Sequence, residues 1–160
     1  MKRVANEIKD VTEDKTANIR IYVPNESNLY HSIASITGPP GTPYEGSHMS
    51  EKFPCIHPFE PPEIKFITKV YHPNVSSQTG VICLDVLKNN WTPAMTLRIA
   101  LMSIQALLDS PDPDSPQDAE VAKVYKSNRS AFIAEAKKWT DFHAETSLDA
   151  YIAAHFCHED

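Results

Sequence analysis

Cys83 is the residue of this chain whose type and surroundings first suggest chemistry. It lies in the apolar stretch 81–84, and a His72-Pro73-Asn74 motif begins eleven residues before it. A cysteine nucleophile is usually activated by a neighbouring base, but no His or Lys flanks Cys83. Free cysteines are also among the most buried residues of proteins. The residue types alone therefore leave three interpretations open: a core thiol, a metal ligand, or a nucleophile without the usual base.

Zinc ligands of the right types occur twice outside this stretch. Cys55 closely precedes His57, and Cys157 lies between His155 and His158. Their spacings match no closed structural zinc pattern, because the chain has no closely spaced pair of cysteines. An odd number of widely separated cysteines also argues against a disulfide framework. We therefore predict no metal site and reduced thiols.

Composition bounds the class of protein. The 160 residues, 41% hydrophobic and 22% charged, suit one globular domain with a core of its own. The net charge of −6 argues against nonspecific nucleic-acid binding. No apolar run approaches the roughly 18 residues of a membrane span, and the N-terminus lacks the apolar stretch of a signal peptide. We expect a cytoplasmic and/or nuclear protein with no nucleic-acid or membrane partner.

Hydrophobic periodicity divides the chain into strands followed by helices. Helical spacing of apolar residues predicts a helix over 4–14. Alternation predicts strands over 18–23, 30–37 and 61–68, and the short polar segment 47–54 could supply a fourth. This order indicates an α+β fold.

The second half of the chain is predicted to be helical. After Trp91, apolar faces predict helices over 96–108, 128–145 and 146–156, and capping residues predict another over 115–126. Thr96 is the expected N-cap of the first. For the second we expect Ser115 as N-cap, Pro116 in the first turn and Asp118 at the third helical position.

Five segments in a fixed order decide between the interpretations of Cys83. They are GPPGTPYEG (38–46), HPFEPP (57–62), FITKVYHPN (66–74), GVICLDVLKNNWTPAMT (80–96) and DPDSPQDAEVAKVYK (112–126). Over residues 2–143 the chain resembles the ubiquitin-conjugating enzymes. Within that family, its motif sequences most resemble the subgroup that carries a C-terminal ubiquitin-associated domain. Residues 1–145 would form the catalytic core, and 146–160 leave room for one further helix and a tail, less than that three-helix domain.

The resemblance implies a fold and an activity. The fold is an N-terminal helix, a four-stranded antiparallel meander and C-terminal helices packed on one face. The enzyme accepts ubiquitin from an activating enzyme as a Cys83 thioester and transfers it to a lysine, directly or through a ligase. ATP is spent by the activating enzyme, so no cofactor is expected. The alternatives are conjugation of another ubiquitin-like modifier, or a weakly active or non-catalytic binding module.

The missing base beside Cys83 agrees with this activity. A thiol is already a few per cent thiolate near neutral pH. Transfer of an acyl group from one sulfur to another is also nearly balanced in free energy. A strong base would also favour hydrolysis of the product.

The resemblance assigns roles to residues around Cys83. Asn74 either stabilises the oxyanion or supports a loop, His72 holds the loop by hydrogen bonding, and Pro73 fixes the turn. Asp85 and Lys88 line the substrate groove.

A second loop is expected to activate the acceptor lysine. The family often has an Asp before the proline of this loop, whereas this chain has Ser115, with Asp114 directly before it and Asp112 and Asp118 nearby. We expect the acidic neighbours to replace the missing carboxylate in part, and phosphorylation of Ser115 to add charge.

By the same resemblance, the activating enzyme and RING- or HECT-type ligases bind a shared surface of a monomer. Its expected residues are Lys2, Arg3, Asn6, Pro58, Phe59, Thr92, Pro93 and Ala94. In contrast, segment 47–54 departs from the family's apolar third strand, and we expect a shortened or irregular strand at an exposed edge.

Overall fold

The computed structural model describes residues 2–16, 18–27, 29–53, 61–82, 91–144 and 148–156. The helices are α1 (Lys2–Glu13), α2 (Leu97–Asp109), α3 (Ala119–Ser127), α4 (Arg129–His143) and α5 (Leu148–Phe156). The strands are β1 (Ile19–Tyr22), β2 (Ser32–Thr37), β3 (His48–Phe53) and β4 (Lys65–Phe66), and a short 3₁₀ helix, Leu29–His31, leads into β2. None of the described helices combines the length and the apolarity needed to cross a bilayer.

The four strands form one antiparallel sheet in the order β1-β2-β3-β4. Ile36 of β2 lies opposite Ile19 of β1 and Met49 of β3. All three side chains are buried in the main core, which α2 and α4 also line. The predicted α+β fold with a four-stranded meander is therefore confirmed.

The expectation for segment 47–54 was wrong. β3 pairs with β2 from Thr37↔His48 to Ser32↔Phe53 without interruption, and β4 pairs with its other side. β3 is thus an interior strand rather than an irregular edge. β2 pairs with all six residues of β3 and β4 pairs with two of them, and Met49, 1% exposed, anchors the strand to the core.

The prediction of a strand over 61–68 was too long. β4 consists of Lys65 and Phe66 alone, because at this point the backbone also begins to pair with a later segment of the chain. The Phe66 N–H donates to the Gly80 carbonyl at 2.9 Å, which ties the segment to a later turn.

Helix α2 begins as its sequence predicts. The Thr96 side chain accepts a hydrogen bond from the Ile99 N–H, and Leu97, Leu101 and Ile104 are buried in the core. Helix α1 is fastened to this start, since the Glu7 carboxylate accepts the Leu97 N–H at 2.9 Å.

Helix α3 begins later than its sequence predicts. Asp118, not Ser115, is the N-cap, and its carboxylate accepts the Val121 N–H at 3.2 Å. The cause is a tertiary contact: the Pro73 carbonyl accepts the N–H groups of Gln117 and Asp118, at 2.8 and 3.0 Å. These bonds hold residues 115–118 as a loop.

The sheet face that points away from the main core is also covered. Arg20 alternates with the core residues of β1, so it points to this outer face. Its guanidinium makes two 3.1 Å hydrogen bonds to Asp149 in the first turn of α5. Ile33 and Ser35, on the same face of β2, are 4% and 2% exposed, and Leu148 of α5 is 2% exposed. The start of α5 therefore lies on the outer face, and the expectation of helices on one face only was wrong for this helix.

Candidate active site

His72 is buried and hydrogen-bonded on both sides of its ring. Its Nε2 lies 2.9 Å from the carbonyl oxygen of Leu107 in the last turns of α2, and its Nδ1 accepts the Asn74 N–H at 3.0 Å. An Nδ1 that accepts requires the proton on Nε2, which then donates to Leu107. Burial lowers the pKa of His72 to about 4 and outweighs the opposing effect of the Leu107 bond. The ring is therefore neutral near pH 7 and links α2 to the chain before Cys83.

The Asn74 side chain, on a residue that is 1% exposed, is fully occupied by one loop. Its Nδ2 donates to the carbonyls of Asp112 and Ser115 at 2.7 and 3.0 Å. Its Oδ1 accepts the Asp112 N–H at 2.8 Å. Both N–H groups of the amide are thus committed to loop carbonyls.

A second set of contacts fastens the far end of this loop. The Pro73 carbonyl binds the backbone of residues 117 and 118, as described above. Asp118 also accepts a 2.6 Å hydrogen bond from the Ser77 hydroxyl. Burial tends to raise the pKa of Asp118, but the hydrogen bonds from Ser77, Val121 and Glu120 hold it below its usual range. The carboxylate is therefore ionised at neutral pH.

The other two acids of the loop also have partners. Asp112 Oδ1 accepts the Asp114 N–H at 3.1 Å. The exposed Asp114 carboxylate pairs with the Lys126 ammonium of α3 at 2.6 Å. Ser115 adds its carbonyl to the Asn74 contact and ends a turn that begins at Asp112.

The described chain stops just before the predicted nucleophile. Val75 and Ile82 form an antiparallel bridge, and Ile82 is buried. The next residue in the sequence is Cys83. Cys83, Asp85 and Lys88 lie outside the described residues, so their predicted roles stay predictions.

Gly80 makes the turn between the two arms of this bridge possible. Its φ of +73° is unfavourable for other residues, and a Cβ atom there would lie 2.0 Å from the Phe66 carbonyl oxygen. The turn that precedes Cys83 thus depends on glycine at this position.

Part of the expected partner surface comes together at the start of α1. Arg3 Nη2 donates to the carbonyls of Pro93 and Met95 at 2.5 and 3.1 Å, and Arg3 Nε binds Glu7 at 2.7 Å. Lys2 and Asn6 are exposed on the same helix. Exposed side chains of the adjoining loop are Thr92, Pro93 and Ala94. Pro58 and Phe59 lie outside the described residues.

Two residues of the site were missed by sequence reasoning. Ser77 is one of two serines in a turn, and Lys126 is one of two lysines on α3. No local pattern distinguishes either, because their partners Asp118 and Asp114 are set by the tertiary fold. Among the described residues, no group of three or more His, Cys, Asp or Glu side chains could hold a metal ion.

Comparison with known proteins agrees with this geometry. The profile of the family described as "Ubiquitin-conjugating enzyme" matches residues 3–140. This chain belongs to the ubiquitin-conjugating enzyme family. It is 47% identical to "Ubiquitin-conjugating enzyme E2 1" of Schizosaccharomyces pombe over 89% of this chain and 66% of that protein. It is also 47% identical to "Ubiquitin-conjugating enzyme E2 27" of Arabidopsis thaliana over 91% of this chain and 77% of that protein.

A solved structure supports the fold of this ubiquitin-conjugating enzyme. The "putative ubiquitin conjugating enzyme from Plasmodium yoelii" superposes with a TM-score of 0.84 at 50% identity, over 89% of this chain and 94% of that one. The predicted fold, family and transferase class are therefore confirmed. Membership implies ubiquitin, an activating enzyme and ligases as partners in general, and the binding-module alternative is not favoured.

Proposed function

We propose that Cys83 carries ubiquitin as a thioester and that residues 112–118 receive the acceptor lysine beside it. The Cys83 thiolate would attack the thioester carbonyl of the loaded activating enzyme, whose sulfur leaves as a thiolate. The acceptor amine would then attack the Cys83 thioester, lose a proton and form an amide, while the Cys83 sulfur leaves. Both steps are acyl transfers that need no cofactor on this chain.

The observation that carries this proposal is the attachment of the loop by Asn74. The Asn74 amide holds residues 112 and 115, and the following residue, Val75, is bridged to Ile82 directly before Cys83. Because both N–H groups of Asn74 are occupied, we infer that its first role is loop support. His72 and Pro73 also serve loop support. The His72 ring is bound to α2, and the Pro73 carbonyl accepts the N–H groups of residues 117 and 118.

The remaining expectations belong to this proposal. We take residues 1–145 as the catalytic core and 146–160 as an added segment. The surface around Arg3 and 92–94 receives the activating enzyme and RING- or HECT-type ligases. We infer a monomer of the cytosol or nucleus.

Replacing Cys83 by serine tests the activity directly. Wild type incubated with activating enzyme, ATP and ubiquitin should form an adduct that a thiol reductant removes on a gel. Cys83→Ser should form no reductant-sensitive adduct, because an oxygen ester resists thiols. Cys55→Ser and Cys157→Ser are the matched controls and should keep the adduct. Absence of the adduct from wild type, or its persistence in Cys83→Ser, would reject the assignment.

A carboxylate at position 115 should speed transfer to lysine. The three neighbouring acids already have partners, namely the Asp114 N–H, Lys126 and Ser77. Ser115→Asp would add an unpaired carboxylate that can orient the acceptor amine and accept its proton as the amine attacks the thioester. We expect single-turnover discharge to free lysine to rise about tenfold near neutral pH. The neutral variant Ser115→Asn is the control, and an unchanged rate in Ser115→Asp would contradict the role of this position.

A further inference from the structure

The chain before Cys83 and the 112–118 loop meet through contacts of two kinds. Asn74 and Pro73 bind backbone groups of the loop. Ser77 and Asp118 make the one hydrogen bond between two side chains across this junction within the described part of the chain. The Ser77 hydroxyl donates to Asp118 Oδ2 at 2.6 Å, and the Ser77 N–H lies 3.4 Å from the same oxygen.

Asp118 gives this contact an oxygen that its capping role does not require. Its Oδ1 accepts the Val121 N–H and caps α3, so Oδ2 is left for Ser77. A serine at an N-cap does the same capping with a single oxygen. The second oxygen is therefore available to the junction.

Ser77 is joined in turn to the arm that leads to Cys83. It lies in the turn 76–81, which is closed by a 2.9 Å hydrogen bond from the Ser76 N–H to the Val81 carbonyl. A hydrogen bond to an ionised acceptor is shorter and stronger than a neutral one. The Ser77–Asp118 bond thus connects the start of α3 to the turn next to the nucleophile.

We propose that Ser77 and Asp118 are a positioning pair that holds the 112–118 loop in register with Cys83 during transfer to lysine. The proposal rests on the proposed function, because it assumes that this loop meets the acceptor amine. Loading from the activating enzyme is exchange between sulfurs and needs no acceptor amine. Loss of the pair should therefore slow transfer selectively.

Separate assays of loading and discharge test the pair. Ser77→Ala should load ubiquitin at the wild-type rate and discharge it to free lysine about tenfold more slowly, less than the roughly hundredfold cost of a 1 Å misplacement. Ser77→Thr keeps the hydroxyl and should restore discharge. Gln78→Ala, at the exposed neighbouring position, is the matched control. Asp118→Ser keeps a capping oxygen, and combining it with Ser77→Ala should add little further loss if the two residues act together.

The outcomes separate this proposal from the function on which it rests. No reductant-sensitive adduct on the wild type would reject the proposed function itself. Normal discharge by Ser77→Ala, or an equal slowing of loading and discharge, would reject the positioning role. Thermal unfolding of each variant checks the fold, and a Ser77→Ala protein that unfolds like wild type but discharges slowly would support the pair.

Discussion

Asn74→Ala should lose about a hundredfold in discharge of ubiquitin to lysine and should also unfold more easily than wild type. The substitution removes three hydrogen bonds to residues 112 and 115. Their partners lie in a part-buried junction, so the free energy of unfolding should fall by about 3 kcal/mol. Loss of stability and loss of transfer come from one cause, the release of the loop.

The two measurements together distinguish the roles considered for Asn74. Chemical unfolding gives the stability change, and single-turnover discharge after loading gives the rate. Asn25→Ala, at an exposed asparagine whose side chain accepts the Ser27 N–H of its own turn, should leave both unchanged. A slow Asn74→Ala protein with wild-type stability would contradict loop support and favour direct stabilisation of the oxyanion.

Acid should destabilise the protein through His72. The pKa of this buried ring is about 4 in the folded state, against 6.5 for the ordinary group. Below pH 6.5 the unfolded chain binds a proton that the folded chain does not, so stability rises with pH between 4 and 6.5 and is lost as the pH falls through this range. The full loss from this residue is about 3 kcal/mol.

Thermal unfolding across this pH range checks the expectation. His72→Gln should be less stable than wild type at neutral pH, because it loses ring packing and part of its hydrogen bonding. Its stability should depend less on pH between 4 and 6.5. His31→Gln, at an exposed histidine, is the control. An equal pH dependence in wild type and His72→Gln would show that His72 is not the group responsible.

Sequence reasoning succeeded where the signal is local or the motif is long. Thr96 caps α2 because its hydroxyl meets an N–H of its own first turn, a contact that the sequence order alone brings about. The five ordered segments predicted the family correctly, since they occur in one fixed order between residues 38 and 126. Neither prediction required knowledge of which distant residues meet.

It failed where a distant residue decides the local structure. Ser115 has the residue type of an N-cap. The Pro73 carbonyl, however, accepts the N–H groups of residues 117 and 118, and the helix is capped by Asp118 instead. The polar residues of 47–54 indicated an irregular strand, but pairing with β2 and β4 makes it regular. The Ser77–Asp118 bond joins residues 41 positions apart, and no periodicity reports such a contact.

Because the start of α5 lies on the outer face of the sheet, both faces of strand β2 are buried. In a two-layer α+β domain, one face of an antiparallel sheet is free to vary because only water touches it. Here Ala34 of β2 faces the main core and Ser35 faces the opposite side of the sheet, and both are almost fully buried. β2 is therefore constrained on both sides, as strands usually are in a parallel sheet between two layers of helices.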